Sequence, residues 1–171
     1  MTFLILVLLT MVGLLLQSTV FNCLTIAGAK PDFVLILIIF YSIILGYKKG
    51  TAAGFILGLL EDIYLGRFIG MNALVKGLTA FVAGWFTRGA FTDNLFVPII
   101  TTFLSTLFSG FIFLALGKIA GLQWALSLWI WKSVPAAIYN TCLVPFLYTW
   151  FYYWLMKNEK EISLSFWERL S

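Results

Sequence analysis

The sequence predicts an all-α integral membrane protein, a bundle of six transmembrane helices. Three observations carry this reading. The chain is 62% hydrophobic and only 11% charged, with a mean hydropathy of +1.02. No soluble domain of 171 residues buries that much apolar surface, so lipid must solvate it. Apolar runs near the length of a membrane helix, about 20 residues, follow one another along the chain. The breaks between them are short, and residues 1–171 read as a single transmembrane domain.

The first span covers roughly residues 2–22 and ends in Gln17, Ser18, Thr19 and Asn22, polar groups suited to an interhelical contact. Ala27-Gly28-Ala29 has the form of a signal-peptidase site, but no Lys or Arg precedes Lys30 and the apolar run is too long for a signal peptide. The second span, roughly 32–47, opens with Pro31 and Asp32, which suit a helix N-terminus. It turns at Gly46-Tyr47-Lys48-Lys49-Gly50 into a third, roughly 50–66. Gly66-Arg67-Phe68-Ile69-Gly70 turns into the fourth, roughly 71–88. Thr92-Asp93-Asn94 supplies capping chemistry for the fifth, roughly 94–117, the most lipid-like run. The sixth, roughly 128–156, contains Pro135 and Pro145, which predict a kink or a short interfacial piece before a helix starting near Ser133. Residues 157–171 read as a short cytoplasmic tail, with Ile162, Phe166, Trp167 and Leu170 as a weak apolar stripe for the membrane surface.

Orientation follows from the basic residues. With the N-terminus inside, Lys48, Lys49, Arg88, Lys157, Lys160 and Arg169 face the cytoplasm; Lys30, Arg67 and Lys118 face outward, joined by the embedded Lys76 and Lys132. This bias places both termini in the cytoplasm. The net charge of +4 is a topology signal, not a nucleic-acid footprint, because no basic cluster exceeds Lys48-Lys49. The chain has no histidine, and its two cysteines, Cys23 and Cys142, fall on different spans. The sequence therefore predicts no metal site, no cofactor and no nucleophile–histidine chemistry. Adjacent Glu61 and Asp62 point about 100° apart on a helix and cannot flank one scissile bond. The expectation is a protein that is not an enzyme.

Two patterns stand out. Gly46, Gly50, Gly54, Gly58, Asp62, Gly66 and Gly70 recur every fourth residue, so they share a helix face. In lipid such a stripe admits a second backbone, either from this chain or from a partner, and it is the candidate helix-docking groove. The second pattern is depth. At 1.5 Å per residue Asp62 lies roughly 6 Å inside the outer end of its helix, and Lys76 and Lys132 lie at similar depth in theirs. Glu61, Asp62, Lys76 and Lys132 form a candidate buried polar cluster in the outer leaflet. The alternatives are an Asp62–Lys76 pair, a protonated Asp62, or lysines that snorkel to the headgroups with nothing paired. Pro135, Asn140 and Pro145 mark the last helix as the place for a kink or an interhelical polar contact.

The order of these features resembles a known family. Gln17 ends the first helix, and Pro31-Asp32-Phe33-Val34-Leu35 opens the second. Gly54-Phe55-x-x-Gly58-x-x-x-Asp62 follows with Gly66 and Gly70, then Asn140-x-x-x-x-Pro145. The set, spread over nearly the whole chain, resembles the bacterial rod-shape-determining protein family MreD. That resemblance implies a non-enzymatic scaffold of the cell-elongation complex in the bacterial inner membrane. Its implied partners are membrane lipids, an MreC-like bitopic protein, MreB and the RodA–transpeptidase synthase of peptidoglycan. It also implies a fold like the substrate-binding subunits of energy-coupling-factor transporters, although helix 1, from Leu4 to Val20, has none of the alanines those subunits use for docking. The competing reading is a small-molecule or lipid-headgroup binding subunit of a transporter, using Asp62, Lys76 and Lys132 in a central cavity.

Overall fold

The computed structural model describes residues 2–19, 30–66, 68–90, 94–122 and 126–168. Its elements are six helices: α1 (Thr2–Thr19), α2 (Phe33–Leu45), α3 (Tyr47–Leu65), α4 (Met71–Phe86), α5 (Phe96–Ile119) and α6 (Leu126–Glu168). Among the described residues there is no strand. Asn22, Cys23, Arg67, Thr92, Asp93, Leu170 and the side chains of Ile162, Phe166 and Trp167 lie outside what is described.

Helix α2 is the hub, packing on each of the other five. Its sequence, FVLILIIFYSIIL, is apolar on every side, the pattern of a helix enclosed by others. Val34, Ile36, Ile38, Ile39 and Phe40 are wholly buried. At 13 residues it rises only about 20 Å, less than the roughly 30 Å of a hydrocarbon core. Among the described residues, α5 alone is long and apolar enough to cross a membrane by those criteria. On one side of α2, Phe40 meets Tyr148 edge-on at 4.9 Å and Phe151 at 5.9 Å, both from α6, and Leu6 and Leu14 of α1 join the same core. On the other side lies the α3–α4 hairpin.

The ladder glycines divide into two kinds. A Cβ on Gly54 would lie 2.7 Å from the Lys76 carbonyl oxygen, and one on Gly58 would lie 2.7 Å from Ala73 Cα. Helix α4 of the same chain therefore fills this part of the stripe, backbone against backbone. Gly50 meets Ser42 of α2, whose hydroxyl donates to the Ala80 carbonyl at 2.5 Å. Gly46, Gly66 and Gly70 have φ of +86°, +62° and +94° and sit at the turns between helices. These φ values strain any residue with a Cβ. Four-residue spacing thus arises from a close helix contact in the middle and from helix ends at either side.

Two expectations for the last helix change. It is continuous through Pro135 and Pro145, with no separate piece before Ser133. It also runs on to Glu168, so much of the expected tail is helical. Its 43 residues span roughly 65 Å, about twice a hydrocarbon core. A proline removes one backbone donor per site, and the remaining hydrogen bonds of a helix this long carry it through.

Candidate functional site

The polar groups of the core converge at the N-terminus of α2. Asp32 is its cap, and Oδ1 accepts the Leu35 amide at 2.8 Å. Pro31, expected as the first helical residue, precedes the cap, and its carbonyl accepts from Gln17 Nε2 of α1 at 3.0 Å. The Asp32 amide donates to Asn140 Oδ1 of α6 at 2.9 Å. Asn140 is fully buried, and its Nδ2 donates to Thr106 Oγ1 of α5 at 3.2 Å. From α4, Lys76 Nζ reaches Asp32 Oδ1 at 3.1 Å and makes a close ion pair with Glu61 of α3. All six helices are thereby tied into one polar layer.

The lysine is 2% exposed, and its ammonium is shared between Glu61, which is buried, and Asp32, whose side chain is 33% exposed. A buried lysine or glutamate would be costly alone, and pairing offsets part of that desolvation. The anticipated Asp62–Lys76 pair is not the one that forms. Asp62, also 2% exposed, caps α4 instead. Its Oδ2 accepts from the amides of Gly70 (2.8 Å) and Ala73 (3.2 Å), and Oδ1 accepts from the Asn72 amide (3.1 Å) and Nδ2 (2.9 Å). Gly70, at the cap position of α4, has no side chain to do this. A carboxylate from the neighbouring helix meets the open amides and the positive end of the helix dipole.

Of the expected cluster, Glu61 and Lys76 come together, Asp62 lies beside them on other partners, and Lys132 stands apart. Lys132 is exposed on α6 and lines, with Lys30 and Asp32, a cavity of about 270 Å³. A second cavity of about 480 Å³ opens on the α1 side, lined by Gln17, Lys30, Asp32, Glu61 and Tyr64 among others. Asn140 serves as the interhelical polar contact its position suggested. The residue missed as the lysine's partner was Asp32. Its place at the head of an apolar helix was visible, but only as a cap. Among the described residues, no three His, Cys, Asp or Glu side chains group as metal ligands, and Cys142 is free and exposed.

Comparison with known proteins agrees with the family resemblance. Comparison with curated proteins finds no match, and neither does comparison with solved structures. The expected likeness to energy-coupling-factor subunits thus has no support from solved folds. A family model described as rod shape-determining protein MreD matches residues 1–158 of the 171. Gln17, Pro31, Asp32 and Asn140, four of the residues that carried the resemblance, meet in the polar layer. The chain belongs to the MreD family of rod shape-determining proteins.

Proposed function

We propose that this protein is a non-enzymatic, multi-pass scaffold of the rod complex in the bacterial inner membrane, with both termini in the cytoplasm. It binds partner transmembrane helices, an MreC-like bitopic protein first among them. Through that partner it joins MreB and the RodA–transpeptidase synthase and helps organise peptidoglycan synthesis. Family membership supports a role in rod shape as part of a membrane-bound cell-shape system. The observation that carries the scaffold reading is the use of the charges in the polar layer. Lys76, Glu61, Asp32 and Asp62 all bind other helices of the bundle, so the core holds a rigid shape.

Because α4 fills the glycine stripe at Gly54 and Gly58, docking falls to outward faces. Leu4, Leu8, Val12 and Leu15 are exposed along one line of α1 and offer such a face. The test is co-purification with an MreC-like protein, with photo-crosslinking residues at Leu8 and Val12 and a buried control at Leu57. Crosslinks at exposed positions and none at Leu57 are expected; failure of the two proteins to co-purify would remove the scaffold reading. Topology is checked separately. Cysteines at Gly28 and Ala120 should react with an impermeant thiol reagent from outside, and a cytoplasmic reporter after Ser171 should be active.

A further inference from the structure

The cavity of about 480 Å³ on the α1 side holds acceptor atoms that the bundle does not use. Lys76 takes Oδ1 of Asp32 and Oε2 of Glu61. The other oxygens, Asp32 Oδ2 and Glu61 Oε1, accept no hydrogen bond among the described residues. Both side chains are part of the cavity wall. Glu61 is only 8% exposed, yet its Oε1 is not among the buried atoms sealed off without a partner, so the surface it keeps is turned to the cavity. Gln17 stands on the same wall. Its Nε2 is spent on the Pro31 carbonyl, and its Oε1 accepts nothing among the described residues.

Two carboxylates that share one cation leave one oxygen each for another. A second cation on those oxygens closes an alternating ring of two positive and two negative groups, in which every ion has two opposite neighbours. The ion triad itself sets two negative charges against one positive charge. Lys30 also borders the cavity and is engaged in a contact of its own. Three acceptors match the three N–H donors of a primary ammonium. They fall short of the six to eight oxygens that calcium takes. The Tyr64 hydroxyl does not add to them, since it donates to Ser18 Oγ. Tyr64 and Leu65, on the same wall, are about half exposed, so the cavity opens toward lipid between α1 and α3.

We propose that this cavity binds a primary ammonium group, held by Asp32 Oδ2, Glu61 Oε1 and Gln17 Oε1. A lipid head or a soluble amine supplies the same chemistry. The assignment does not depend on the scaffold reading, because partner docking is not used in it.

The test uses the full-length protein in detergent, with phosphatidylethanolamine, phosphatidylcholine of the same chains, ethanolamine, and sodium chloride at matched ionic strength as probes. Phosphatidylethanolamine should raise the melting temperature. Phosphatidylcholine, whose methyl groups replace the N–H donors, should not, and nor should the salt. Stabilisation by phosphatidylethanolamine without ethanolamine assigns the ammonium to a lipid; stabilisation by both shows that a soluble amine is enough. Glu61→Gln should weaken the apparent affinity by about tenfold, the loss of one charge-assisted hydrogen bond. Leu65→Trp narrows the cavity from its exposed rim without replacing a charge, and should also weaken binding. If Glu61→Gln fails to fold, Leu65→Trp decides the matter alone. Equal stabilisation by phosphatidylcholine or by salt, or none by any probe, would overturn ammonium recognition. Unchanged affinity in Leu65→Trp would overturn the site.

Discussion

Lys76 Nζ sits 3.1 Å from Asp32 Oδ1, the atom that also caps α2, so one carboxylate oxygen joins the start of one helix to the middle of another. Glu61 completes the contact from α3. Replacing Lys76 by Met leaves the buried Glu61, and the part-exposed Asp32 beside it, without their cation, which should destabilise by about 3–5 kcal/mol. Asp32→Asn should cost less, since Asn keeps the cap. A Glu61→Gln/Lys76→Met double variant should recover part of the loss, a coupling of about 0.5–3 kcal/mol. Thermal unfolding in detergent measures these three and Glu61→Gln alone; additive effects of Glu61→Gln and Lys76→Met would deny the pairing.

Asp62 should behave as a cap, independent of Lys76. Asp62→Ala removes four acceptor contacts and should cost about 2 kcal/mol, the upper end for a lost N-cap. Asp62→Asn keeps an acceptor and should lose less. Combined with Lys76→Met, Asp62→Ala should add within a few tenths of a kcal/mol, as for sites without shared partners. Non-additivity in the unfolding data would show that Asp62 and Lys76 interact after all.

The glycines make a graded series. A Cβ on Gly54 or Gly58 meets α4 backbone below 3 Å, and backbone cannot rotate away. Gly54→Ala and Gly58→Ala should each destabilise by about 1–3 kcal/mol, the range of overpacking, and leucine should do more. Gly77 faces the same interface from α4, but its nearest neighbour, Phe55 Cβ, would be 3.5 Å away. Gly77→Ala should be neutral or slightly stabilising through better helix propensity. Melting curves for the four variants test this ordering, and a Gly54→Leu protein of wild-type stability would contradict the close contact.

Helix number and order were legible because apolar runs and polar turns punctuate the chain clearly. The place of α2 was legible only in hindsight: a run apolar on all sides reads equally as lipid-facing or enclosed. The polar layer was half visible. Lys76 and Glu61 were grouped by depth, reckoned from each helix's own end. That reckoning passes over Asp32, which stands at the very end of its helix and reads from the sequence as a cap. Ladder periodicity pointed to a groove, but periodicity does not name the occupant, and α4, joined to α3 by a tight turn, is the nearest backbone.

Asn140 closes the layer on the α6 side and makes the last prediction. It is fully buried, accepting the Asp32 amide through Oδ1 and donating to Thr106 Oγ1 through Nδ2. Asn140→Ala strands a buried amide donor, which should cost about 1–3 kcal/mol. Asn140→Asp keeps the acceptor but puts a further carboxylate beside Asp32, so it should destabilise at least as much as alanine. Thr106→Val removes the longer Asn140 contact together with the Thr106 hydroxyl's bond to the Thr102 carbonyl, and should cost less than either. The discriminating measurement is hydrogen exchange at the Asp32 and Leu35 amides. Asn140→Ala should accelerate exchange at Asp32 strongly while the Leu35 amide, held by the Asp32 side chain, stays protected. Equal acceleration at both would mean that the helix start as a whole has come loose, and that Asn140 acts on α2 rather than on one amide.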